Sequence, residues 1–321
     1  MLESPYRIVT SPRTASRLAT MAVVRSVALL VWVAIGAPAC QSNSPSEPTP
    51  TPPTPPPIPT SAVLVGAGDI ADCTKTAVTE TAKLLDSISG VVFTLGDNVY
   101  DTGTMANYVG CYGPNWGRHL SRTKPAIGNH DWNGSSLADY FRYFGSTGAA
   151  GPDGQGYYSY EAGSWHVLVL NSEIPIGVGS AQLMWAQADL DASKAQCTLA
   201  YWHHPLFTSA QNGPQAFVKD LWRVLYQYNV DVVMNGHDHV YERFGPQDPD
   251  GRADVPRGIR QFTAGTGGST LYAFGPLRAN SQAHSATHGV LKLDLQGNFY
   301  TWQFIPIAGQ SYSDSGSGTC H

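Results

Sequence analysis

The stretch GHDHVYER, residues Gly236–Arg243, decides how the rest of this chain is interpreted. It follows Val230–Met234, a run of apolar and β-branched residues that is typical of a buried strand. Side chains two residues apart on an extended segment share a face, so His237 and His239 can point into one cleft. Histidine is the commonest metal ligand, and packing does not explain two converging imidazoles at the end of a buried strand. The stretch taken alone is compatible with a metal site and with a polar surface loop.

The composition of the chain limits the classes of protein to which it can belong. It has 321 residues, of which 42% are hydrophobic and 13% charged, enough for one sizeable core or two modest ones. Its 33 glycines and 23 prolines indicate a loop-rich chain. The net charge is −5 and there is no basic run, so nucleic acid is not expected as a partner.

The first 39 residues have the layout of an export signal. Val23–Ala37 is an apolar stretch with arginines near and before its start, and it is too short to span a bilayer comfortably. Met21 is an alternative start that leaves the same layout intact. Small residues at Ala37–Ala39 suit a cleavage site directly before Cys40. We therefore predict a signal peptide over residues 1–39 and an exported protein.

A Pro/Thr/Ser-rich tract follows the predicted cleavage site. Gln41–Ser61 contains TPTPPTPPPIPT, which has too little apolar surface to fold and predicts an extended spacer, partly in the polyproline II conformation. A spacer directly after Cys40 favours a lipid-anchored protein at the cell surface, although Ala37 stands where lipoprotein signals usually have leucine. A free secreted or periplasmic protein is the alternative. The predicted spacer covers residues 40–61 and the predicted folded domain residues 62–321.

Five predicted strands share one ending, in which a glycine or a short turn is followed by Asp, Asn or His. Ligands gather at the carboxyl ends of strands in open α/β sheets. A single Gly-Asp pair is best explained as a turn. Five endings with different residue types indicate a metal site instead. The strands and their endings are Ala62–Val65 before GDI (68–70), Val91–Leu95 before GDNVY (96–100), Lys124–Ile127 before GNHD (128–131), Thr198–Trp202 before HHP (203–205), and Val230–Met234 before GHDH (236–239).

Other segments complete an α/β pattern. Helical spacing of apolar residues predicts three helices, the second with a serine N-cap: Thr74–Ser87, Ser180–Ala192 and Pro214–Tyr228. Five further runs predict strands: Gly156–Glu161, Trp165–Asn171, Ile259–Ala264, Gly289–Leu295 and Phe299–Ile305.

The cysteines other than Cys40 are even in number, as expected of disulfides in an exported chain. Three pairings are possible. We favour Cys73–Cys111 and Cys197–Cys320, since Cys73 and Cys111 each lie shortly after one of the polar loops. A zinc site is the alternative, but the chain lacks CxxC spacing.

The five polar endings, in this order, resemble the five-block signature of the calcineurin-like metallophosphoesterases. The tyrosine of GDNVY and the tail of GHDHVYER are most similar to the purple acid phosphatase branch. The resemblance covers the chain from about Val63 onward. It implies an α/β fold, a four-layer α/β/β/α sandwich with a single catalytic domain.

The resemblance also implies a set of metal ligands. One metal ion would take Asp69, Tyr100 and His239, and Asp97 would bridge it to the other. The second ion would take Asn129, His203 and His237. Carboxylate, phenolate, amide and imidazole ligands suit Fe, Mn or Zn. A phenolate favours a trivalent ion, so we expect Fe(III) at the Tyr100 site and Fe, Zn or Mn at the second. Two such ions can clamp a phosphoryl group and lower the pKa of a bound water.

Three further residues receive roles at the substrate. The resemblance implies that His130 faces the phosphate and acts as the catalytic residue that assists the leaving oxygen. His204 lies next to a ligand and is expected to bind substrate or support that ligand. Purple acid phosphatases usually have a histidine shortly after the fourth block, and Asn212 stands at that position here.

Several conspicuous residues are expected to have no direct part in catalysis. We expect Asp131, Asp238 and Arg243 to support the site, and His284 and His288 to lie in a polar surface loop. The stretch GTGG, Gly265–Gly268, is expected to be a strand-connecting turn without a function.

The predicted function is hydrolysis of phosphate monoesters by attack of a metal-activated water or hydroxide. The expected partners are small-molecule phosphate esters. A phosphodiesterase or nucleotide hydrolase is an alternative, since substrate choice would depend on loops such as Ser146–Tyr157 and Phe207–Gln215. A surface binding module that keeps a metal without turnover is the third hypothesis, and the presence of every ligand and of His130 argues against it.

Overall fold

The structure, a computed structural model, describes residues 60–145, 150–152 and 154–321. The predicted signal peptide, Cys40 and all but the last two residues of the predicted spacer lie outside the described residues, so those predictions stay predictions. Within the described ranges, no helix is both long enough and apolar enough to cross a membrane.

One sheet has six strands, numbered here with all others in chain order. β1, β2 and β3 are parallel, and β11 pairs antiparallel with β1 and continues into the hairpins to β12 and β13. The order is β13-β12-β11-β1-β2-β3, with β1 at Ala62–Ala67, β2 at Val91–Leu95, β3 at Thr123–Ala126, β11 at Gly289–Leu295, β12 at Phe299–Pro306 and β13 at Asp314–Thr319.

The second sheet has seven strands and a parallel centre. β5, β6, β7 and β9 run parallel, while β4, β8 and β10 pair antiparallel at the two margins. The order is β10-β8-β9-β7-β6-β5-β4, with β4 at Tyr158–Ala162, β5 at Trp165–Val169, β6 at Cys197–Tyr201, β7 at Val232–Asn235, β8 at Tyr241–Phe244, β9 at Arg260–Ala264 and β10 at Ser281–Ser285.

Helices cover the outer face of each sheet. The first sheet packs against α1 and the aromatic residues around α3, and the second sheet packs against α4 and α5. This confirms the predicted four-layer α/β/β/α sandwich. The helices are α1 at Ala77–Ser87, α2 at Met105–Asn107, α3 at Ala138–Phe144, α4 at Ala181–Ala192 and α5 at Lys219–Gln227, with short 3-10 or π turns at Tyr108–Tyr112, Trp116–Arg122, Asn129–Asp131 and Ala216–Val218.

The central strands are continuous apolar runs because both of their faces are buried. In β1, Leu64 packs between the sheets while Val65 packs towards α1. In β6, Leu199 points between the sheets and Ala200 points towards α4 and α5. This alternation is the period of two expected of a strand, and a strand covered on both sides needs apolar residues at both parities.

Most predicted elements are found with shifted ends. The first helix begins at Ala77 and not at Thr74, since Asp72 accepts hydrogen bonds from the backbone N–H and the hydroxyl of Thr74. Ser180 is the N-cap of α4 as predicted, and its hydroxyl accepts a bond from the Leu183 N–H.

Three strands were missed, because their sequences lack an apolar alternation. β10 and β13 are polar margin strands, of which β13 also contains glycines, and β8 is formed by the tail of the GHDHVYER stretch. The prediction of a polar loop around His284 is therefore wrong, since that residue lies in β10, where it is exposed.

The favoured disulfide pairing is confirmed. Cys73 is bonded to Cys111 and Cys197 to Cys320, each with Cα atoms 5.5 Å apart. The first bond holds the segment after β1 to the turn that follows the Tyr100 loop. The second joins the start of β6 to the segment after β13.

Arg243 has the supporting position that was expected of it. Its Nε donates to Asp314 Oδ2 at 2.7 Å and its Nη2 donates to Asp314 Oδ1 at 3.0 Å, while the Tyr241 hydroxyl donates to the same carboxylate. A bidentate pair of this kind fixes orientation as well as distance. It ties β8 of one sheet to β13 of the other.

Candidate metal centre

The polar endings of five strands meet at one edge of the sandwich. They follow β1, β2 and β3 of the first sheet and β6 and β7 of the second. Three of the residues there, Asp69, Asp97 and His237, have left-handed backbones with φ of 59°, 50° and 68°. This conformation costs a residue with a side chain on the order of 1–2 kcal/mol. Strain repeated at three converging loops indicates that the side chains are held for a purpose other than turning the chain.

Two glycines allow the loops to approach this closely. Gly96 has a φ of 83°, and a Cβ there would lie 2.6 Å from Nδ1 of His203. A Cβ on Gly236 would lie 2.8 Å from Oδ2 of Asp69. The glycines of GDNVY and GHDH therefore keep space open beside candidate ligands.

Asp69, Tyr100 and His239 form one group of donor atoms. The Tyr100 hydroxyl lies 2.9 Å from Asp69 Oδ1 and 3.1 Å from His239 Nε2. His239 Nε2 is 3.1 Å from Asp69 Oδ1. The other ring nitrogen of His239 is 2.6 Å from the Thr270 carbonyl, so the carbonyl fixes the ring with Nε2 facing the group.

Asn129, His203 and His237 form the second group. Asn129 Oδ1 is 3.1 Å from both His203 Nε2 and His237 Nδ1, and the two imidazole nitrogens are 3.3 Å apart. His203 Nδ1 is 2.8 Å from the Leu95 carbonyl, which again orients the ring. These groups match the two ligand sets that the sequence predicts.

Asp97 lies between the two groups. Its Oδ2 is 3.0 Å from the Tyr100 hydroxyl of the first group and 3.3 Å from His203 Nε2 of the second. Its Oδ1 accepts the backbone N–H of His130 at 2.8 Å. Asp97 thus contacts side-chain donors of both groups through one carboxylate oxygen, the position that a bridging ligand would need. Asp69 also reaches the second group, but there it accepts the backbone N–H of His237 and no side-chain donor.

The ionisable residues of this site are buried close together, so they shift one another's pKa values. Burial opposes ionisation of Asp97, but the charge and hydrogen bond of His203 outweigh it and hold the pKa of Asp97 well below its usual value. Burial disfavours a charge on His203, yet Asp97 and then Asp69 raise its pKa to about 10. Burial together with the neighbouring imidazoles lowers the pKa of His237 to about 2. The raised pKa of His203 thus reflects the negative charge of the two aspartates around it, a charge that metal ions bound to a neutral imidazole would compensate.

The chemistry of the donors fits a pair of metal ions. Asp69 and Asp97 are at most 1% exposed, and with His203 they place ligand atoms within 4.8 Å of one another. Lone pairs of carboxylate, amide and imidazole converge there, which is unfavourable unless cations neutralise them. In the described part of the chain, a second group of this kind is Cys197, Asp231 and Cys320, but its sulfurs are joined in a disulfide and supply no thiolate.

His130 lies beside the first group without joining it. Its Nδ1 is 2.7 Å from the Asp101 carbonyl, and its ring is 4.6 Å from the Tyr100 ring. With Nδ1 held by the carbonyl, Nε2 is the ring nitrogen left to meet a substrate.

His204 is buried against the second group. Its ring centroid is 4.1 Å from that of His237, and its Nδ1 lies 3.0 Å from the Ser172 hydroxyl and 2.9 Å from Glu173 Oε1. These contacts leave Nε2 as its other hydrogen-bonding atom. Ser172 and Glu173, which follow β5, were missed in the sequence, although they obey the same rule of polar strand endings.

Asn212 lies on the exposed rim of the site. Its backbone N–H donates to Asp238 Oδ1 at 2.9 Å and its side-chain amide donates to the His237 carbonyl at 3.0 Å. Asn212 is thus placed next to a candidate ligand, where the sequence predicted a substrate contact.

The family of this chain can be identified at this point. The sequence profile of the family described as calcineurin-like phosphoesterase matches residues 62–241, which include every candidate ligand. The chain belongs to this family. The resemblance drawn from the five blocks is therefore confirmed.

Curated members of this phosphoesterase family are similar to the chain over part of their length. Purple acid phosphatase 15 of Arabidopsis thaliana is 28% identical over 145 residues, which are 40% of this chain and 27% of the relative. Purple acid phosphatase 21 of the same plant is 36% identical over 119 residues, 35% of this chain and 27% of the relative. The chain thus matches little more than a quarter of each relative.

Solved structures show the same fold at low identity. Purple acid phosphatase PPD1 from yellow lupin, Lupinus luteus, superposes with a TM-score of 0.63 at 20% identity, over 81% of this chain and 54% of that one. GAP50, described as the anchor in the inner membrane complex of Plasmodium, superposes with a TM-score of 0.62 at 12% identity, over 79% of this chain and 88% of that one.

The turn after β9 supports the phosphoesterase site, although no function was expected of it. Gly267 N–H donates to the Gly68 carbonyl and Ser269 N–H to the Asp69 carbonyl. A Cβ on Gly265 would lie 2.6 Å from Asp69 Oδ2. Gly265–Gly268 is the predicted connecting turn, and its backbone holds the Asp69 loop in place.

Asp131 is the main buried support of two ligand loops. Its carboxylate accepts the backbone and side-chain N–H groups of Asn98, the Gly128 N–H and the Tyr108 hydroxyl, all at 2.8–3.0 Å. Burial and then the charge of Asp97 raise the pKa of Asp131 to about 7 against these four donors. Asp131 connects the loop of Asp97 and Tyr100 to the loop of Asn129 and His130.

We expect Asp131→Ala to lower the free energy of unfolding by at least about 3 kcal/mol, because it leaves four buried donors without an acceptor. Metal content should fall with it, since both connected loops carry candidate ligands. Urea titration and elemental analysis measure the two effects.

Asp86→Ala is the matched control. The Asp86 side chain is 47% exposed and pairs with Arg118 on the surface, so its loss should cost less than about 1 kcal/mol. Equal and small losses of unfolding free energy in the two variants would contradict the role given to Asp131.

Proposed function

We propose that this chain is an exported, binuclear-metal phosphatase that hydrolyses phosphate monoesters. The observation that carries the proposal is the position of Asp97 between two groups of three donors each. The names of the similar relatives, purple acid phosphatases and an acid phosphatase of Aspergillus ficuum, support the same reaction.

The proposed ligands divide between two ions. Asp69, Tyr100 and His239 hold the first, Asn129, His203 and His237 hold the second, and Asp97 bridges them. When bound, the two ions would polarise the phosphoryl oxygens and lower the pKa of a water to near neutrality. Fe(III) is proposed at the Tyr100 site because that side chain can supply a phenolate, and Fe, Zn or Mn at the second.

The residues of the chain itself provide orientation and proton transfer. Backbone carbonyls hold one ring nitrogen of His203 and one of His239, so that the other nitrogen of each faces the ions. His130 is the proposed catalytic residue, which donates a proton to the leaving oxygen through Nε2. Asn212 can donate a hydrogen bond to a phosphoryl oxygen but cannot protonate an alkoxide.

Export is proposed on two grounds, the leader-like first 39 residues and the two disulfides. Disulfides persist in oxidising compartments and are rare in reducing ones. Lipidation of Cys40 remains a prediction of the sequence.

A phosphodiesterase or nucleotide hydrolase is the second candidate on the same site. Asn212, which contacts His237, places the loop Phe207–Gln215 at the site. Part of the loop Ser146–Tyr157 lies outside the described residues. A binding module without turnover is a weaker candidate. GAP50, which is described as an anchor, has the same fold as this chain. The presence of all seven proposed ligands and of His130 in this chain nevertheless favours catalysis.

The first prediction concerns the metal ions. The iron-loaded protein should be purple, since a tyrosinate bound to Fe(III) absorbs visible light. Tyr100→Phe should bleach the colour while metal remains bound, and Asp97→Ala should lose both ions because it serves both. Visible absorption and elemental analysis measure these effects.

Tyr272→Phe is the control for colour, because that ring contacts His239 but belongs to neither group of donors. It should stay purple. A colourless wild type with full iron content and activity would exclude the tyrosinate.

The second prediction concerns the leaving group. With asparagine in place of histidine at position 212, proton delivery rests on His130, and general acid help is worth about 10²–10⁴-fold when the leaving group is poor. We expect strong activity on aryl phosphates and a marked fall on glycerol phosphate. His130→Ala should reduce turnover of the alkyl ester more than that of the aryl ester.

Asn212→His should narrow the gap between the two esters, as steady-state kcat values would show. An unchanged alkyl-to-aryl ratio in this variant would refute the role given to Asn212 and leave the proposed metal site intact.

A further inference from the structure

Each proposed metal position is flanked by an aromatic side chain that belongs to neither ligand set. Tyr272 contacts His239 of the first set. Phe217 contacts His204, which in turn packs on His237 of the second set. Tyr272 lies in a loop and Phe217 in the 3-10 turn Ala216–Val218, and neither was singled out in the sequence.

Tyr272 is stacked on a proposed ligand. Its ring is 4.0 Å from the His239 ring with an angle of 9° between the planes, and its backbone N–H donates to the His239 carbonyl. Tyr272 is partly exposed, so part of the residue is accessible beside the proposed ligand.

Phe217 lies on the other ligand set and is more exposed. Its ring is 5.2 Å from the His204 ring in an edge-to-face arrangement, and His204 is 4.1 Å from His237. Phe217 is 49% exposed, although its neighbour Val218 in the same 3-10 turn is fully buried. An exposed phenylalanine contributes little to the core, and its position next to the site gives it a surface for a ligand.

We propose that Phe217 and Tyr272 select phosphate esters whose leaving group is a flat aromatic ring, by packing against that ring while the phosphate lies at the metal ions. This inference rests on the proposed phosphatase function and names its substrate class. Aromatic pairs gain free energy beyond the area that they bury, which amounts to about a two- to tenfold gain in affinity for each pair.

Packing of this kind is distinct from the chemical ease with which an aryl group leaves. Contact with the ring is the same in the ground state and the transition state, so it should change KM and leave kcat nearly constant. A difference in leaving-group acidity acts on kcat. The two effects are separable with substrates of matched acidity.

The test compares phenyl phosphate with hexafluoroisopropyl phosphate, since the two parent alcohols are comparably acidic and only one is aromatic. The variants are Phe217→Leu and Tyr272→Leu, which keep apolar volume and remove the ring. Tyr272→Phe keeps the ring, and Phe299→Ala removes a 42% exposed phenylalanine in β12 as a control. Calorimetric binding of benzylphosphonate and methylphosphonate to the metal-loaded protein gives a readout that needs no turnover.

Each leucine variant should raise KM for phenyl phosphate and Kd for benzylphosphonate about two- to tenfold. The fluoroalkyl ester and methylphosphonate should change less than about twofold. Phe299→Ala should behave as wild type, and Tyr272→Phe should keep the preference for the aromatic ligands because it keeps the ring. Equal effects on the aromatic and the non-aromatic ligand, or no effect on either, would overturn the inference.

Failure of the proposed function has a different result. A wild type that cleaves neither ester contradicts the phosphatase, and the phosphonate comparison then decides the aromatic contact by itself. A wild type that cleaves neither ester and binds neither phosphonate overturns both proposals.

Discussion

The placement of two buried carboxylates, Asp69 and Asp97, at one edge of the sandwich is the constraint on which the rest of the site depends. Each follows a parallel strand of the first sheet and has a left-handed backbone. Burying them so close together is unfavourable without positive charge nearby. The second sheet supplies His203 and His237 to the same place, and glycines leave the space that these contacts need. The fold therefore concentrates negative charge where two cations would neutralise it.

The loops that carry the proposed ligands are held in place by residues that are not themselves proposed as metal ligands. Asp131 accepts four hydrogen bonds, two from Asn98 and one each from Gly128 and Tyr108. The turn after β9 holds the backbone of the Asp69 loop. Arg243 and Asp314 join the two sheets at the far end of the GHDHVYER stretch. Precision at the site comes from this outer layer, since ligands must be held by fixed neighbours to meet a metal geometry.

Local patterns predict the strands, the helices and the polar endings that follow the strands, whereas the four layers and the division of the ligands into two sets were implied by the resemblance to the family. Strands such as β1 and β6 are apolar at both parities, and the polar residues after them recur at each ending. These patterns could not predict β10 and β13, whose polar residues become strands only by pairing, β10 with β8 and β13 with β12. Tyr272 and Phe217 leave no periodic signal either, because their contacts with His239 and His204 join loops distant in sequence.

The central claim is that two metal ions, held by the two groups around Asp97, are required for phosphate ester hydrolysis. The most direct measurement is a titration of chelator-stripped protein with iron and zinc while aryl phosphate turnover and bound metal are followed together. Activity should be absent without metal and rise to its maximum at two equivalents per chain. Full activity in the stripped protein, or a maximum at one equivalent with no second ion bound, would contradict the account.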